Sequence, residues 1–395
     1  MPTSTAPTSR ATAISKVPPA SIPASSSAPE KPKRRETATS TPRTPALFGT
    51  ARDDAYHKVG ESFIAELRYW LLALAIIPLA MSLFSRDDDV VRRIKHSIKH
   101  LAQSDREIAR DQLEEYGGIS DELIQKLPEQ RLDGAYLSQN SHMHWAFAGA
   151  SAFGYLMVIL LLFPLGKATT PQLLSAGLFT ATVGIFLLLA FQFLAMFMLT
   201  VNVSNVIVAF LQFIAIAYVY AEHPGSGIIT SFLAFTFSAG LCEEFCKGFI
   251  VFRHFRKYAT LDWRGACVLG LASGVGFGVA EGIHYAGSYN GVAGAEIYWQ
   301  RFVSCVGLHA IWSAAVGLAA WRYRDDLKKS WWTIFRIIWA PMIMHGLYDT
   351  LLTKDHPGAA VLCAIAGFAW LAYQFERTYL EQNREQKLLA QTAAA

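Results

Sequence analysis

The second half of the chain carries ionisable side chains inside segments that are otherwise apolar. They occur as Leu-Cys-Glu-Glu-Phe-Cys-Lys at 241–247, as Phe-Gly-Val-Ala-Glu at 277–281, as His309, and as His-Gly-Leu-Tyr-Asp at 345–349. A charged side chain at the centre of a membrane helix costs roughly 2.5–3.5 kcal/mol on insertion scales. Such groups must be paired, protonated or exposed to a polar cavity, which makes them candidates for a functional site.

The spacing of these residues decides which of them can meet on one helix face. Side chains three or four positions apart are neighbours on a helix, so Lys247 can pair with either Glu243 or Glu244. One lysine neutralises one carboxylate, and the second carboxylate then needs another role. His345 and Asp349 are also four positions apart and share a face. We therefore expect Lys247 in a structural ion pair, with a second carboxylate left for chemistry.

Carboxylates and histidines that meet inside a membrane can perform two kinds of chemistry. A glutamate can act as the general base that takes a proton from water. The same residue types can hold a divalent metal such as zinc, with one coordination position open. The apolar segments contain neither HExxH nor GxSxG, and the chain has no Walker-type phosphate loop. ATP-driven transport by this chain is therefore not expected.

Long apolar runs must position these side chains. The chain has 395 residues, of which 52% are hydrophobic and 17% charged. A bilayer requires about 20 apolar residues for each crossing helix. The sequence predicts an all-α, polytopic membrane helix bundle of eight spans, or of nine if the marginal run 69–84 also crosses. The eight spans are expected at 145–165, 173–194, 201–220, 228–252, 265–288, 297–321, 331–352 and 359–375.

The distance of each polar group from the end of its span indicates its depth. Glu243 lies about 15 Å from the charged link that follows its span, at ~1.5 Å per residue. Glu281, His309 and His345 lie about 10–18 Å from the opposite boundary. In a hydrocarbon core ~30 Å thick these depths overlap. The four spans that carry these residues are expected to enclose one polar cavity.

Two features of the sequence favour close packing around that cavity. In the span 265–288 glycine recurs at every fourth position, at Gly270, Gly274, Gly278 and Gly282. A stripe of this kind lets the backbone of a neighbouring helix approach closely. Pro341 lies one turn before His345 and removes a helix hydrogen bond there, which predicts a kink.

The rest of the chain divides by composition. The first part is basic, rich in Ser, Thr and Pro, and without hydrophobic periodicity, which predicts disorder. Its charge favours anionic lipid headgroups and not nucleic acid as a partner. An apolar stripe from Val90 to Leu101 predicts a helix on the membrane surface. The expected parts are a tail at 1–60, a marginal first apolar helix at 61–84, a polar helical insert, partly surface-lying, at 85–141, the transmembrane bundle at 142–376, and a second tail at 377–395.

Basic residues in short links predict the orientation of the bundle in the cell membrane. Links 253–264 and 322–330 each contain four Lys or Arg residues, whereas 289–300 contains almost none. The two basic links and the C-terminus are expected in the cytoplasm. Counting the eight expected spans from the cytoplasmic C-terminus toward the N-terminus then places the insert in the cytoplasm as well. This leaves two alternatives for 69–84: either it does not cross, or the basic tail is translocated.

The ordered motifs resemble those of the PrsW family of intramembrane proteases, which is distantly similar to the CAAX prenyl protease and bacteriocin-processing membrane enzymes. The resemblance covers 231–352, with the family core expected at 228–352. It rests on EExxK at 243–247, FxxxE at 277–281, the segment 301–317 around His309, and HxxxD at 345–349.

The resemblance implies an intramembrane endopeptidase that cleaves membrane-anchored protein substrates with water activated by glutamate and histidine. Glu243 would be the general base, and Glu244 a second catalytic carboxylate. His345 and Asp349 would polarise the scissile carbonyl, stabilise the oxyanion or ligate a metal.

The same resemblance leaves open whether a metal takes part. Glu281, His309 and His345 are the candidate ligands for a divalent ion such as zinc. Glu281 stands where the CAAX-type pattern has a histidine, so metal-dependent and metal-free mechanisms both remain. Two other functions also stay open, because intramembrane Glu and His build ion relays as well. These are a proton- or cation-coupled transporter and a catalytically silent membrane scaffold.

Overall fold

The computed structural model of the protein describes residues 90–202, 205–223, 225–258 and 260–394. Within these residues the regular elements are helices. The first three, α1 to α3, belong to the insert and span Val90–Ser97, Gln103–Tyr116 and Asp121–Gln125. The remaining nine, α4 to α12, are Met143–Leu162, Thr170–Met198, Val206–Glu222, Ile228–Lys257, Trp263–Tyr289, Ala295–Arg322, Arg324–Lys329, Trp332–Thr353 and Pro357–Ala394.

Six of these helices are long and apolar enough to cross a membrane, namely α4, α5, α7, α8, α9 and α12. Backbone groups in lipid must be satisfied within the segment, so continuous apolar runs of this length form helices. The 22-residue α11 is less apolar, and α6 is a shorter apolar helix. The prediction of an all-helical, polytopic membrane protein is confirmed. The marginal run 69–84 lies outside the described residues.

Helices α8 and α9 pack closely along the glycine stripe. A Cβ atom added to Gly270 would lie within 3.0 Å of the carbonyl oxygen of Ser313, and one added to Gly274 would lie equally close to that of His309. Side chains at these positions would force the two helices apart. The stripe therefore sets the register that brings Glu281, at the end of the stripe, beside His309.

The helices run between two ends of the bundle. Hydrogen bonds between the links show which links meet at each end. At the end that we call the basic end, Lys167 N donates to Asp262 Oδ1 at 2.8 Å, and Arg256 donates to the carbonyl oxygen of Leu327 at 2.6 Å. Asp262 also caps α8, because its Oδ1 accepts from Gly265 N at 3.0 Å. Links 163–169, 253–262 and 322–330 therefore meet at the basic end.

The insert occupies the opposite end, which we call the insert end. Asn290 Nδ2 donates to the carbonyl oxygen of Ser141 at 2.9 Å, and Leu132 N donates to that of Gly291 at 2.8 Å. Ile94, Ile98 and other apolar residues of the insert are buried in a small core of their own. The stripe that predicted a membrane-surface helix is thus covered by the insert itself.

This placement corrects the prediction, made by counting spans from the C-terminus, that the insert lies at the same end as the basic links. The discrepancy lies between links 163–169 and 223–227. Helix α5 begins at the basic end, where Lys167 N donates to Asp262 Oδ1, whereas Lys354 donates to the carbonyl oxygen of Ser226 at 2.7 Å, which places the start of α7 at the insert end. The predicted spans 173–194 and 201–220 therefore cannot both complete a crossing.

Candidate active site

Helix α7 brings two adjacent glutamates to the centre of the bundle, in two different environments. Glu244 is fully buried, and its Oε1 accepts from Lys247 Nζ at 2.6 Å and from His345 Nδ1 at 3.0 Å. Glu243 lies on the neighbouring face and lines a cavity. The arrangement thus gives Glu244 Oε1 two donors, while Glu244 Oε2 is buried without one among the described residues, and it leaves Glu243 facing the cavity.

Lys247 links α7 to two neighbouring helices. Besides Glu244 it contacts His309 Nδ1 at 2.9 Å, Glu243 Oε2 at 3.6 Å and the ring of Phe277 at 4.9 Å from its centroid. Its side chain is completely buried. A buried ammonium requires such partners, because an unpaired charge in this position is strongly destabilising. The ion pair that the spacing led us to expect is the contact between Lys247 and Glu244.

The hydrogen bonds determine which nitrogen of each histidine carries a proton. An ammonium can only donate, so His309 Nδ1 accepts from Lys247 and the ring proton of a neutral His309 lies on Nε2. A carboxylate can only accept, so His345 Nδ1 carries a proton toward Glu244. The second ring nitrogen, His345 Nε2, lies 3.5 Å from Glu243 Oε2 and 3.3 Å from Asp349 Oδ2.

Close helix contacts place His345 and Asp349 against α7. Gly346 approaches Thr236, and Gly240 approaches the carbonyl oxygen of Met342, too closely for a Cβ at either glycine. Both contacts fall where α7 widens into a π-helical turn at Thr236–Gly240. Pro341 lies inside α11, one turn before His345. These features bring the HxxxD motif beside the two glutamates.

Glu281 lies across the cavity from the pair on α7. Its Oε2 is 2.5 Å from His309 Nε2, and its Oε1 is 3.6 Å from a guanidinium nitrogen of Arg301. Arg301 stacks 3.9 Å from the ring centroid of Tyr285 and donates to the hydroxyl of Tyr289 at 3.2 Å. Sequence reasoning did not select Arg301 or the two tyrosines. The signal that could have identified Arg301 is a cation inside the predicted span 297–321.

The cavity between these helices has a volume of about 540 Å³. It reaches Tyr289, Ile297 and Thr353, near the insert end of the bundle. Its polar lining includes all but one of the predicted catalytic and metal-ligating residues; the exception is Glu244, which lies behind the cavity wall. The lining contains Glu243, Glu281, Arg301, His309, His345 and Asp349.

Part of this lining has the composition of a metal site. Ligand atoms of Glu243, Glu281 and His309 lie within 4.8 Å of one another. In the described part of the chain, Oε2 of Glu243 is buried without a hydrogen-bond donor, and Oε2 of Glu281 lies 2.5 Å from His309 Nε2. Carboxylate and imidazole are donors that zinc takes. The residues therefore fit a divalent ion, although the group contains Glu243 where the sequence suggested His345.

One contact limits that fit. A histidine that binds a metal commonly donates its other ring N–H to a carboxylate or a carbonyl. In His309 the other nitrogen faces the ammonium of Lys247. Ligation through His309 Nε2 requires a proton on Nδ1, so Lys247 must then turn away from His309.

Comparison with known proteins agrees with the arrangement of these residues. The sequence model for the PrsW family intramembrane metalloproteases matches residues 189–374, which include the whole candidate site. Protease PrsW of Geobacillus kaustophilus (strain HTA426) is 31% identical over 160 residues, which cover 40% of this chain and 68% of that protein. The chain belongs to the PrsW family. No solved structure matches it.

Membership of the PrsW family identifies the chain as a membrane peptidase. The resemblance read from EExxK, FxxxE and HxxxD is confirmed, and the matched region includes all three motifs. The insert at 90–141 lies outside that region. The PrsW match runs from the last ten residues of α5 into α12 and includes every residue that lines the cavity.

Proposed function

We propose that the protein is an intramembrane endopeptidase that hydrolyses peptide bonds of membrane-anchored proteins with water activated by Glu243. One observation carries this proposal. Glu243 lines the cavity and its Oε2 has no hydrogen-bond donor among the described residues, whereas the adjacent Glu244 does not line the cavity and its Oε1 is held by Lys247 and His345. A general base needs a free lone pair within reach of water.

The neighbouring residues supply the other parts of a hydrolytic reaction. Glu243 accepts a proton as water attacks the scissile carbonyl carbon, and it later returns that proton to the departing amine. His345, protonated on both nitrogens, donates from Nε2 to the carbonyl oxygen, which becomes the oxyanion. Glu244 orients the imidazole through Nδ1, and Asp349 stabilises its positive charge. Glu244 thus acts as a positioning residue.

Glu281 and His309 would hold the divalent ion that the name of the family implies, and Glu243 would bind it through one carboxylate oxygen and keep the other to accept the proton of water. A bound ion of this kind supplies a Lewis acid for the carbonyl and makes water a stronger acid. His309 would then carry its proton on Nδ1, and Lys247 would remain on Glu244 and Glu243.

The distribution of charge supports an orientation in the cell membrane. Links 253–264 and 322–330 carry basic residues and meet at one end, which we place in the cytoplasm together with the C-terminus. The insert then lies outside, and the described residues cross the membrane seven times. Because the cavity reaches the insert end, substrates would enter from the outer half of the bilayer.

Hydrolysis of a library of membrane-tethered peptides by the purified protein in liposomes tests this function. Glu243→Gln and His345→Ala are expected to lower the rate of cleavage by about 10²–10⁴-fold. Glu244→Gln removes the group that orients His345 and should also slow cleavage. Glu122→Gln, an exposed position in the insert, is the matched control. Cleavage that survives all three site variants would contradict the proposal.

A further inference from the structure

We propose that the insert carries a second divalent-metal site, formed by His96, His100 and Asp133, for a transition-metal ion such as zinc. The three residues lie outside the candidate active site and outside the region that matches the PrsW family. This site does not depend on the proposed peptidase mechanism.

The three side chains converge on one point at the surface of the insert. His96 Nδ1 lies 2.5 Å and His100 Nε2 lies 3.4 Å from the same oxygen, Asp133 Oδ2. The two histidines are four positions apart, at the end of α1 and in the 3₁₀ turn Ile98–His100 that continues it. Ligand atoms of all three residues lie within 4.8 Å of one another. Two imidazoles and a carboxylate form a common ligand set for zinc.

The main chain around Asp133 is fixed to the helix that carries the histidines. Asp133 N donates to Ser97 Oγ at 2.7 Å, and Ser97 Oγ donates to the carbonyl oxygen of Arg93 at 2.8 Å. Arg93 also donates to the carbonyl oxygen of Gly134, whose φ of 81° favours glycine. These bonds hold the carboxylate opposite the imidazoles before any ion binds. Such preorganisation lowers the cost of assembling a metal site.

The present contacts require only a small adjustment for an ion. Zinc bonds to nitrogen and oxygen are about 2.0–2.2 Å long, so two ligands of a tetrahedral ion lie roughly 3.3 Å apart. The contact between His100 and Asp133 already has this separation, and that between His96 and Asp133 must widen by about 0.8 Å. The side chains of His96, His100 and Asp133 are 65%, 47% and 39% exposed, which leaves room for that movement and for water as a further ligand.

The position of the site connects it to the cavity. Leu132 N donates to the carbonyl oxygen of Gly291 at 2.8 Å, and Tyr136 N donates to that of Ala293 at 2.9 Å. Gly291 and Ala293 belong to the link between α8, which carries Glu281, and α9, which carries His309. An ion that fixes Asp133 to α1 would restrain this link. Any effect of that restraint on cleavage rests on the proposed peptidase function, whereas binding of the ion does not.

Zinc binding by the full-length protein in detergent tests the proposal. The parent for this test is the His309→Ala protein, which lacks a candidate ligand of the active site. Metal is first removed with a chelator, and the zinc bound per chain is then measured as the concentration of free zinc is raised. We expect about one zinc per chain in this background. His96→Gln with His100→Gln should abolish that binding, and Asp133→Asn should weaken it by more than about tenfold. His142→Gln, an exposed histidine elsewhere in the insert, should bind like the parent.

The altered side chains are exposed, and unfolding of each metal-free variant verifies that the fold is kept. Zinc should raise the unfolding temperature of the parent and of His142→Gln, and should leave that of the double variant unchanged. Equal zinc binding by the parent, the double variant and Asp133→Asn would overturn the proposal. A protein that binds zinc here but cleaves no peptide would refute the peptidase function and leave this site intact.

Discussion

Lys247 on α7 donates to His309 Nδ1 on α9 at 2.9 Å, while the same ammonium holds Glu244 at 2.6 Å. One cation therefore joins the EExxK motif to the histidine of a distant span. The contact also opposes ligation of a metal by His309, because it occupies the nitrogen that should carry the proton.

Replacement of Lys247 tests the importance of this buried charge. Lys247→Met leaves Glu244 buried with one partner fewer, and we expect it to lower the free energy of unfolding by about 3–5 kcal/mol. Lys247→Met combined with Glu244→Gln removes both charges and should recover most of that loss. Denaturant unfolding in detergent measures both values. Equal losses in the single and the double variant would contradict a specific pair.

The two adjacent glutamates should respond differently to neutralisation. Glu243→Gln removes a carboxylate whose Oε2 lacks a donor among the described residues, so we expect unchanged or higher stability together with loss of cleavage. Glu244→Gln weakens its bonds to Lys247 and His345 and should lower stability as well as cleavage. Unfolding and cleavage measured on the same preparations separate the two roles. Lower stability of Glu243→Gln than of Glu244→Gln would reverse the assignment.

Much of this site could be predicted from the sequence because its signals are local. Apolar run length located the helices, and the spacing of Glu244 and Lys247 predicted their ion pair. Charged residues in apolar runs identified the cavity lining. The depth estimate correctly grouped Glu281, His309 and His345, because the rise per residue is constant along a helix.

The rest depends on contacts between distant parts of the chain. Hydropathy reports that 173–194 and 201–220 are both apolar, but not that α5 begins at the basic end and α7 at the insert end, so that the two runs cannot both cross. The apolar stripe of α1 gives no indication of what covers it, since Leu132, which closes the core over Ile98, lies more than thirty positions away. The contact of Lys247 with His309 joins residues 62 positions apart, and no spacing rule predicts it.

The glycine stripe provides a test of the register between α8 and α9. Gly274→Ala introduces a methyl group closer than 3.0 Å to the carbonyl oxygen of His309, and overpacking of this kind costs about 1–3 kcal/mol. Gly287→Ala, in the same helix, meets no atom within 4 Å and should stabilise the helix by up to about 1 kcal/mol. Unfolding measurements compare the two. Cleavage should fall only in Gly274→Ala, because separation of the helices moves Glu281 away from His309.

Binding of an ion at the active site can be measured apart from the site in the insert. The full-length protein with His96→Gln and His100→Gln lacks the proposed site in the insert but keeps the active site, and it should still bind zinc. Adding Glu281→Gln to this protein should weaken zinc binding by more than about tenfold. Lys247→Met should tighten it, because the ammonium no longer opposes a proton on His309 Nδ1. Calorimetry on the full-length protein gives these affinities. Weaker zinc binding by Lys247→Met would show that the lysine supports the ligand and does not oppose it.

The placement of the insert at the end opposite the basic links can be tested by labelling of single added cysteines in intact cells. Glu107→Cys lies in the insert and Asp325→Cys in a basic link, and both positions are exposed. A membrane-impermeant maleimide should label Glu107→Cys from outside and should reach Asp325→Cys only after the cells are opened. The parent protein is the control, since its cysteines are buried or partly buried. Labelling of both positions from the same side would contradict the placement of the insert and the basic links at opposite ends of the bundle.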